Sequence, residues 1–425
     1  MNFFGISTMK QLVSGFFRTW KTFGFSTTLR LSVFYTFRIL KNLRRYPATT
    51  STWGLNRAIE FSVEDIDLDA LPRGAKGTIE HATPYVWYVP AWTNVWGGGH
   101  FTLFRYANLM SKLRPQIIYI YNNQGRYSKA YFKDSLQVAF PDNTISVLTD
   151  PSELPSITIP IATTWQSVFS LLKTTSPDTG PRFYFMQDYE NLFYSHGTES
   201  MQALDSYEHG LIGITGGPWL LSQFRKHGGD GINYQFTTDA AIFFPSEKPR
   251  SSVKRIFFYG RPSTERRCFE LGVETLRLLK SKYPEIEIVV AGLDGIGPLG
   301  FDATLAGSVA LPELGNLYRS CDIGLALSGT NLSYLPVELM AVGVPVVTNG
   351  GPHVEWYCED GVNSLVAPPF PTEMLKRIEM LIHDEGLRLR LREHGIKKSR
   401  ETSWELEAEK IQNFVEGKLP TSAPH

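Results

Sequence analysis

The stretch SGTNLSYLPVELMAVGVPVVTN, Ser328 to Asn349, is the most telling part of the sequence. It predicts a loop, a short helix, a glycine stop and an apolar strand. Pro336 fits the first turn of a helix, because the N–H that proline lacks would have no partner there. Gly343 is expected to end the helix, and Val344 to Thr348 to form a buried strand with Pro345 near its start. A helix followed by a buried strand is typical of parallel α/β proteins.

The start of this helix is a candidate anion site. The backbone amides of Ser333, Tyr334 and Leu335 would have no partner inside the helix and would point outward. Glu338 follows in the first turn and places a carboxylate beside the same opening. Such a pair suits a phosphate joined to a hydroxyl-rich group, which describes a nucleotide sugar. An ordinary βα turn of a doubly wound sheet is the alternative.

Composition sets the broad class of the protein. The 425 residues carry 42 basic and 42 acidic side chains, so the net charge does not favour nucleic acid as a partner. Three cysteines form neither a disulfide framework nor a metal-binding spacing, which favours a reducing, cytoplasmic compartment. No run of 18 apolar residues predicts a spanning helix. We expect neither a metal ion nor another cofactor, and interpret the D-x-D pattern of Asp65, Asp67 and Asp69 as a solvated loop.

Strands alternate with helices after residue 79, which predicts an α/β protein with parallel sheets. We expect a first Rossmann-like domain over residues 79–245, a second over residues 250–403, and a linker at Pro245–Pro249. A last helix is expected at about 404–416. The expected strands are Tyr85–Pro90, Ile117–Asn122, Tyr184–Gln187, Leu211–Thr215, Arg255–Tyr259, Ile286–Ala291 and Ile323–Leu327, and the expected helices are Phe101–Leu113, Trp219–His227, Thr264–Lys282 and Leu314–Ser320.

Residues 1–60 form a basic arm ahead of the first domain. Residues 1–59 contain nine Lys or Arg and no Asp or Glu, and apolar residues recur every three positions within Thr28–Arg45. As a helix, this segment would place an apolar stripe beside a basic one, which favours peripheral contact with an anionic membrane surface. A helical arm packed on protein and an organelle transit peptide are the alternatives.

The second domain offers a candidate phosphate-binding cation. The strand Arg255–Tyr259 ends in Gly260 and Arg261. Gly260 would allow close approach of a ligand to the backbone, and Arg261 would place a planar fork of donors against two phosphate oxygens. Ser263 is expected to cap the next helix. A surface arginine is the alternative, and Arg266 and Arg267 are weaker candidates.

The first domain offers a glycine-rich candidate at its cleft. Gly97, Gly98 and Gly99, with the adjacent His100, follow the first expected strand. Their backbone amides would approach a diphosphate or an acceptor molecule from across the cleft. A structural turn is the alternative.

Two carboxylates follow another strand of the first domain. Asp188 and Glu190 come directly after an apolar strand, at the edge where open α/β sheets place their sites. Either carboxylate would receive the proton of an acceptor hydroxyl. Capping of the following turn is the alternative.

These features together resemble the donor site of GT-B glycosyltransferases, especially the retaining family that contains sucrose synthases. That family carries two glutamates eight positions apart before G-x-P-V-V; Glu338 matches the second, and Thr330 stands at the first. The resemblance implies two Rossmann-like domains facing across a cleft, with the last helix returning to the first domain. It implies that Glu338 holds ribose hydroxyls, that Arg261 stabilises the departing diphosphate without a metal, and that the backbone of Val309 meets the nucleobase.

A narrower resemblance is to WsaF-like rhamnosyltransferases. It implies retaining transfer of rhamnose from dTDP-L-rhamnose to a growing surface polysaccharide or glycan, with a lipid-linked acceptor at the inner membrane surface as a further inference. A nucleotide-sugar 2-epimerase of the same fold and a non-catalytic sugar-nucleotide-binding subunit are the alternatives, the second favoured by Thr330. The matching pieces are Gln187–Glu190, Leu192–Tyr194, Tyr207–Gly210, Gly217–Leu220, Phe258–Ser263 and Phe269–Gly272.

Overall fold

The computed structural model describes residues 79–123, 125, 127–175, 180–246, 251–293 and 299–420. The basic arm, the D-x-D pattern and most of the predicted linker lie outside the described residues. The described residues belong to one compact unit. None of the helices described is long and apolar enough to cross a membrane.

The first sheet of the described chain has seven parallel strands. They are β1 (Tyr85–Val89), β2 (Gln116–Ile120), β3 (Ser146–Leu148), β4 (Ile159–Ala162), β5 (Phe183–Met186), β6 (Ile212–Gly216) and β7 (Asp230–Tyr234). Their order is β3-β2-β1-β4-β5-β6-β7. All residues of β1 are buried, as expected when helices cover both faces of a parallel sheet. The connections diverge between β1 and β4, which leaves a crevice at the carboxyl edge.

Helices flank this sheet, and with it they form what we call the N-terminal lobe. They are α1 (Gly98–Met110), α2 (Lys129–Ala139), α3 (Trp165–Thr174), α4 (Thr198–Asp205) and α5 (Pro218–Lys226). A 3-10 turn, Glu190–Phe193, follows β5. The helix predicted to begin at Phe101 begins at Gly98 instead, so two of the three glycines belong to its first turn.

The second sheet has six parallel strands among the described residues. They are β8 (Arg255–Tyr259), β9 (Glu287–Ala291), β10 (Thr304–Gly307), β11 (Ile323–Leu325), β12 (Val346–Asn349) and β13 (Leu365–Ala367). Their order is β10-β9-β8-β11-β12-β13, so the connections diverge between β8 and β11.

The second sheet and its helices form the C-terminal lobe. These helices are α6 (Phe269–Lys282), α7 (Leu311–Arg319), α8 (Tyr334–Ala341), α9 (Pro352–Glu355), α10 (Pro371–His383) and α11 (Glu385–Ser399). The helix predicted over Thr264–Lys282 is present but begins later, at Phe269, and the prediction that Ser263 caps it is wrong. Glu265–Arg267 form a 3-10 turn, and Cys268, at φ 50°, is the residue before α6.

The last helix, α12 (Trp404–Glu416), returns to the N-terminal lobe as predicted, where it packs against α1 and β7. Arg114 Nη2 lies 2.7 Å from Glu416 Oε2, and the hydroxyl of Tyr85 also donates to Glu416. Because Glu416 is 302 positions from Arg114 along the chain, this ion pair closes a long loop. Two parallel sheets with flanking helices confirm the predicted α/β class.

Candidate active site

The start of α8 is open, as the sequence predicts. Ser333 is its N-cap, with extended backbone (φ −93°, ψ 170°) and no side-chain cap hydrogen bond, and Pro336 is the third helical residue. The amides of Ser333, Tyr334 and Leu335 donate to no acceptor among the described residues. The positive end of the helix dipole is therefore available to an anion.

Glu338 lies one turn further along α8. The hydroxyl of Tyr318, on α7, donates to Glu338 Oε2 at 3.1 Å. Burial raises the pKa of Glu338 to about 7, because a carboxylate is poorly solvated there. This carboxyl group therefore changes charge near neutral pH.

Gly260 follows β8, but its lack of a side chain serves packing. A Cβ at this position would come within 2.8 Å of Leu293 and Val290 side chains. Arg261 follows directly and is exposed, and its guanidinium has no hydrogen-bond or ion-pair partner among the described residues. Its guanidinium is thus free to meet a ligand at this edge.

Arg267 is a half-buried cation of this edge, and the sequence made it a weaker candidate than Arg261. Its Nη1 donates to Ser328 Oγ at 3.2 Å. Burial lowers the pKa of Arg267, and the charge of Asp188 opposes that shift, whereas Arg266 and Arg261 add to it. A half-buried, incompletely paired guanidinium is a favourable place for phosphate oxygens. The only sequence signal was the run of two arginines.

Val309 lies after β10, at the same carboxyl edge. Gly307 ends that strand with φ 61°, a conformation that glycine adopts without strain. The Val309 side chain is half-buried against the main hydrophobic cluster. The predicted donor-side residues therefore share one edge of the second sheet, since parallel strands end on the same side.

Asp188 follows β5 and faces the C-terminal lobe. Its Oδ2 accepts from Thr330 Oγ1 at 2.9 Å, and its Oδ1 accepts from the backbone N–H groups of Asn331 and Tyr189, each at 2.8 Å. Arg266 Nε lies 3.6 Å from Oδ2. Both carboxylate oxygens are engaged, so Asp188 joins the two lobes. Its carboxylate lies beside Thr330, the position of the missing glutamate.

Arg266 approaches the same strand end from the C-terminal lobe. Its guanidinium carbon lies 4.0 Å from the centre of the Phe193 ring, a cation–π contact. The guanidinium of Arg266, on the C-terminal lobe, therefore contacts Asp188 and Phe193 of the N-terminal lobe.

Glu190 is 6% exposed and points into the N-terminal lobe. Its Oε2 accepts from the backbone N–H of Trp165 at 2.7 Å, at the start of α3. The backbone N–H of Glu190 donates to the hydroxyl of Tyr207 at 2.9 Å. Burial raises the pKa of Glu190 to about 8. The carboxyl group of Glu190 therefore caps α3, a helix that precedes it in the chain. The alternative expected from the sequence was a cap on the turn that follows Glu190.

The three glycines stand at the start of α1. Gly97 is the N-cap, without a side-chain cap bond. Gly98 has open space where a side chain would be, whereas the Gly99 carbonyl accepts from Gln187 Nε2 at 2.9 Å. His100 turns toward the Pro90 carbonyl, 3.3 Å from its Nε2, and burial lowers its pKa. Gly98 is thus the open member of this group.

The described residues contain no group of three or more His, Cys, Asp or Glu arranged to hold a metal ion.

Two lobes of this kind, joined by a returning helix, define the GT-B fold. Solved structures share it: HepE from Anabaena in complex with UDP and glucose has a TM-score of 0.60 at 14% identity, covering 79% of this chain and 100% of that one. Sucrose-phosphate synthase from Thermosynechococcus elongatus has a TM-score of 0.60 at 12% identity, covering 79% and 98%. The predicted GT-B fold is confirmed.

The C-terminal lobe identifies the chain more narrowly. Residues 254–379 match the WsaF C-terminal domain. The chain is 36% identical over 362 residues to the O-antigen biosynthesis protein RfbC of Myxococcus xanthus, an alignment that covers 82% of this chain and 28% of RfbC. The chain thus spans little more than a quarter of that relative's length. The predicted resemblance to WsaF-like GT-B glycosyltransferases is confirmed.

Proposed function

We propose that this protein transfers a sugar from a nucleotide-sugar donor to a growing surface glycan. The observation that carries the proposal is the open start of α8, whose free amides share one sheet edge with Arg261, Arg267 and Glu338. Two cations, a positive helix end and a titratable carboxyl group match the parts of a nucleotide sugar: a diphosphate and a ribose.

The comparisons support this proposal in outline. HepE was solved with UDP-glucose, and RfbC is named for O-antigen biosynthesis. A similar donor and a polysaccharide product are therefore natural candidates for this chain. Rhamnose, from dTDP-L-rhamnose, is our proposed sugar because of the WsaF-like C-terminal lobe. Retention of configuration and catalysis without a metal or other cofactor are parts of the same proposal.

The proposed chemistry is electrostatic. As the bond between sugar and diphosphate breaks, negative charge grows on the leaving phosphate. The amides of Ser333, Tyr334 and Leu335 and the guanidinium groups of Arg261 and Arg267 would stabilise that charge. Because these groups are already placed, little reorganisation is needed during the reaction.

The remaining donor contacts follow from the same edge. Glu338, when ionised, would accept hydrogen bonds from the two ribose hydroxyls, which are stronger to a carboxylate than to a neutral acid. The backbone near Val309 would meet the nucleobase. The Gly98 amide, at the open start of α1, would approach the diphosphate or the acceptor from the N-terminal lobe.

The acceptor proton requires a base on the N-terminal side. Asp188 and Glu190 remain our candidates. As the structure stands, Asp188 is bonded to Thr330 and Asn331, and Glu190 is bonded to Trp165. Asp188 would accept a proton only after those bonds rearrange. It is the better candidate of the two because it faces the other lobe.

A donor screen tests the proposal. Purified full-length protein is heated with dTDP-, UDP- and GDP-sugars, and the donor that raises the melting temperature most is then assayed for transfer to glycan acceptors. We expect a dTDP-sugar to stabilise best, to be transferred when an acceptor is present and to be hydrolysed only slowly without one. Conversion of the donor without acceptor would indicate a 2-epimerase. Stabilisation without release of the nucleotide under any condition would indicate a binding subunit.

Peripheral membrane contact of residues 1–59, at the cytoplasmic face, belongs to the same proposal. Nine basic and no acidic residues would attract anionic lipids, at about 1 kcal/mol per cation near the surface. Flotation of the full chain with phosphatidylglycerol vesicles, compared with a chain lacking residues 1–59, tests it. Equal flotation of both chains would contradict the proposal.

A further inference from the structure

At Asn331, the C-terminal lobe forms hydrogen bonds with the carboxyl edge of the first sheet, in the N-terminal lobe. Asn331 is fully buried, and its side-chain Nδ2 donates to the carbonyl of Gly216 at 2.7 Å and to that of Gln187 at 3.1 Å. Its backbone N–H donates to Asp188 Oδ1 at 2.8 Å. These three partners lie at the carboxyl ends of β5 and β6, so one asparagine ties the C-terminal lobe to two neighbouring strands.

The other polar atoms of Asn331 are satisfied from its own lobe. Trp356 Nε1 donates to Asn331 Oδ1 at 3.2 Å, and Ser328 Oγ donates to its backbone oxygen at 2.7 Å. The Trp356 ring also lies where a Cβ on Gly217 would stand, about 2.5 Å away, so it packs tightly against the N-terminal lobe. A fully buried amide is tolerated only when its hydrogen bonds are made, and here they are made in both lobes.

The place of Asn331 in the chain gives these bonds a consequence for the donor site. Asn331 stands two residues before Ser333, where the open amides of α8 begin. Tyr334, the first helical residue, stacks on Phe236 with ring centres 4.5 Å apart and on Trp404 with centres 5.7 Å apart. Both rings belong to elements of the N-terminal side. The tip of the proposed diphosphate-binding helix is therefore held against the other lobe by hydrogen bonds and by stacking.

We infer that Asn331 is a positioning residue that fixes the donor helix against the acceptor lobe, so that transfer to an acceptor is favoured over hydrolysis of the donor. The inference rests on the proposed function for its kinetic part. Loss of the side-chain amide would leave the carbonyls of Gln187 and Gly216 without the Asn331 donor, whereas the N–H of Trp356 would keep its second acceptor, the His353 carbonyl at 3.0 Å. The lobes would then separate more easily, while the donor-binding groups of the C-terminal lobe would stay in place.

Separation of the lobes has two expected effects. The reacting atoms of donor and acceptor would be misaligned, and a misplacement of about 1 Å costs about 100-fold in rate. Water would also enter the cleft more often, because closure normally excludes it. Slower transfer and a larger share of hydrolysis should therefore occur together.

The test compares Asn331→Ala with Asn363→Ala in the full-length protein. Asn363 is also buried and also makes side-chain bonds, to Glu359 N and Tyr357 O at 2.8 Å each, but entirely within the C-terminal lobe. The measurements are melting temperature, radius of gyration by X-ray scattering, affinity for UDP and dTDP by calorimetry, and the ratio of donor hydrolysis to transfer.

Asn331→Ala should increase the radius of gyration, slow transfer about 100-fold and raise the hydrolysed share. Its nucleotide affinity should stay within about twofold of the wild type, as for a site that does not contact the ligand. Asn363→Ala should lower the melting temperature but leave the radius and the hydrolysed share unchanged. Trp356→Phe removes the indole N–H with its two bonds, to Asn331 Oδ1 and to the His353 carbonyl, but keeps an aromatic ring. It should give a smaller increase in radius than Asn331→Ala and serves if that variant does not fold.

An unchanged radius of gyration in both Asn331→Ala and Trp356→Phe would overturn the inference. So would a nucleotide affinity that falls in step with the transfer rate, since Asn331 would then belong to the donor site. If the wild-type protein transfers no sugar from any donor, the proposed function fails. The scattering and calorimetry results would still decide the positioning role by themselves.

Discussion

The polar groups at the carboxyl edges of the two sheets differ in whether they have partners inside the protein. At the edge of the second sheet, the amides of Ser333 to Leu335 and the guanidinium of Arg261 have no partners among the described residues. At the edge of the first sheet, Asp188 and Glu190 are both bonded within the protein. The C-terminal lobe thus leaves these donors without partners inside the protein, as the proposed donor site requires. The polar groups of the N-terminal lobe instead hold the protein itself together.

The largest effect should come from Arg267, the half-buried cation at the edge of the second sheet. Arg267→Ala should slow transfer by about 100-fold or more, because it removes a preorganised donor from the leaving phosphate. Arg267→Lys should restore part of the rate, since it keeps the charge but loses the planar fork. Steady-state kinetics with the donor found in the screen measures both.

The matched control is Arg277→Ala, which removes an exposed arginine of the same lobe that pairs with Glu274. It should leave the rate unchanged. A wild-type rate in Arg267→Ala would show that this guanidinium serves only the fold.

On the closed side, Glu190→Ala should reduce stability more than activity. It leaves the N–H of Trp165 buried and unpaired, at a cost of about 1–3 kcal/mol in the free energy of unfolding. Glu190→Gln keeps an acceptor oxygen and should cost less. Urea unfolding of the three proteins measures the difference, and equal stability of Glu190→Ala and the wild type would contradict the capping role.

Glu190 also gives a pH dependence of known sign. Its folded pKa of about 8 exceeds the ordinary 4.5, so the folded protein keeps a proton that the unfolded chain releases. Its contribution to stability is complete below pH 4.5 and is lost as the pH rises toward 8, at up to about 1.4 kcal/mol per pH unit. The free energy of unfolding of the Glu190→Gln variant should decline less steeply with pH than that of the wild type over this range. An identical decline in the two proteins would contradict the role of Glu190.

The same substitution, glycine to alanine, should have opposite effects on stability in the two lobes. Gly260→Ala should destabilise by about 1–3 kcal/mol, because its Cβ would overlap the Leu293 and Val290 side chains. Gly98→Ala meets open space in the first turn of α1 and should leave stability equal or raised by about 0.5–1 kcal/mol. Thermal melting of both variants is the measurement. A destabilised Gly98→Ala would show that the glycines of the N-terminal lobe serve packing too.

The smallest effect concerns Glu338. Because its pKa is about 7, its ionised fraction rises as the pH passes through neutrality. If it binds ribose hydroxyls, the KM for the donor should fall up to about tenfold between pH 6 and 8. Glu338→Gln should show no such change, and a parallel profile in the two proteins would assign the titration elsewhere.

Much of the C-terminal lobe could be predicted from sequence. Apolar runs with clear stops placed β8 at its observed bounds, Arg255–Tyr259, and Pro336 and Gly343 placed α8 within two residues. The N-terminal lobe was harder: β3, β4, β7 and α2 to α4 were not predicted. In the C-terminal lobe, β10, β13 and α9 to α11 were not predicted either. Four of these five strands are three or four residues long, too short to give a distinct pattern.

The site was predictable where it depends on local structure and unpredictable where it depends on packing. The open start of α8 follows from one proline and one cap. The role of Asn331 depends on Gln187 and Gly216, which are more than 100 positions away in sequence and come close only in the folded protein. The left-handed conformation of Cys268 had no signal either, because the sequence offers no glycine there.

The returning helix α12 also sets an order of events during synthesis. Its contacts with α1 and β7 complete the N-terminal lobe, yet the ribosome makes residues 404–416 after the whole C-terminal lobe. The first lobe must therefore wait, with part of its apolar surface uncovered, while more than 150 further residues emerge. A nascent chain stalled before Trp404 should accordingly be recognised by chaperones even though all the strands of its first sheet have been made.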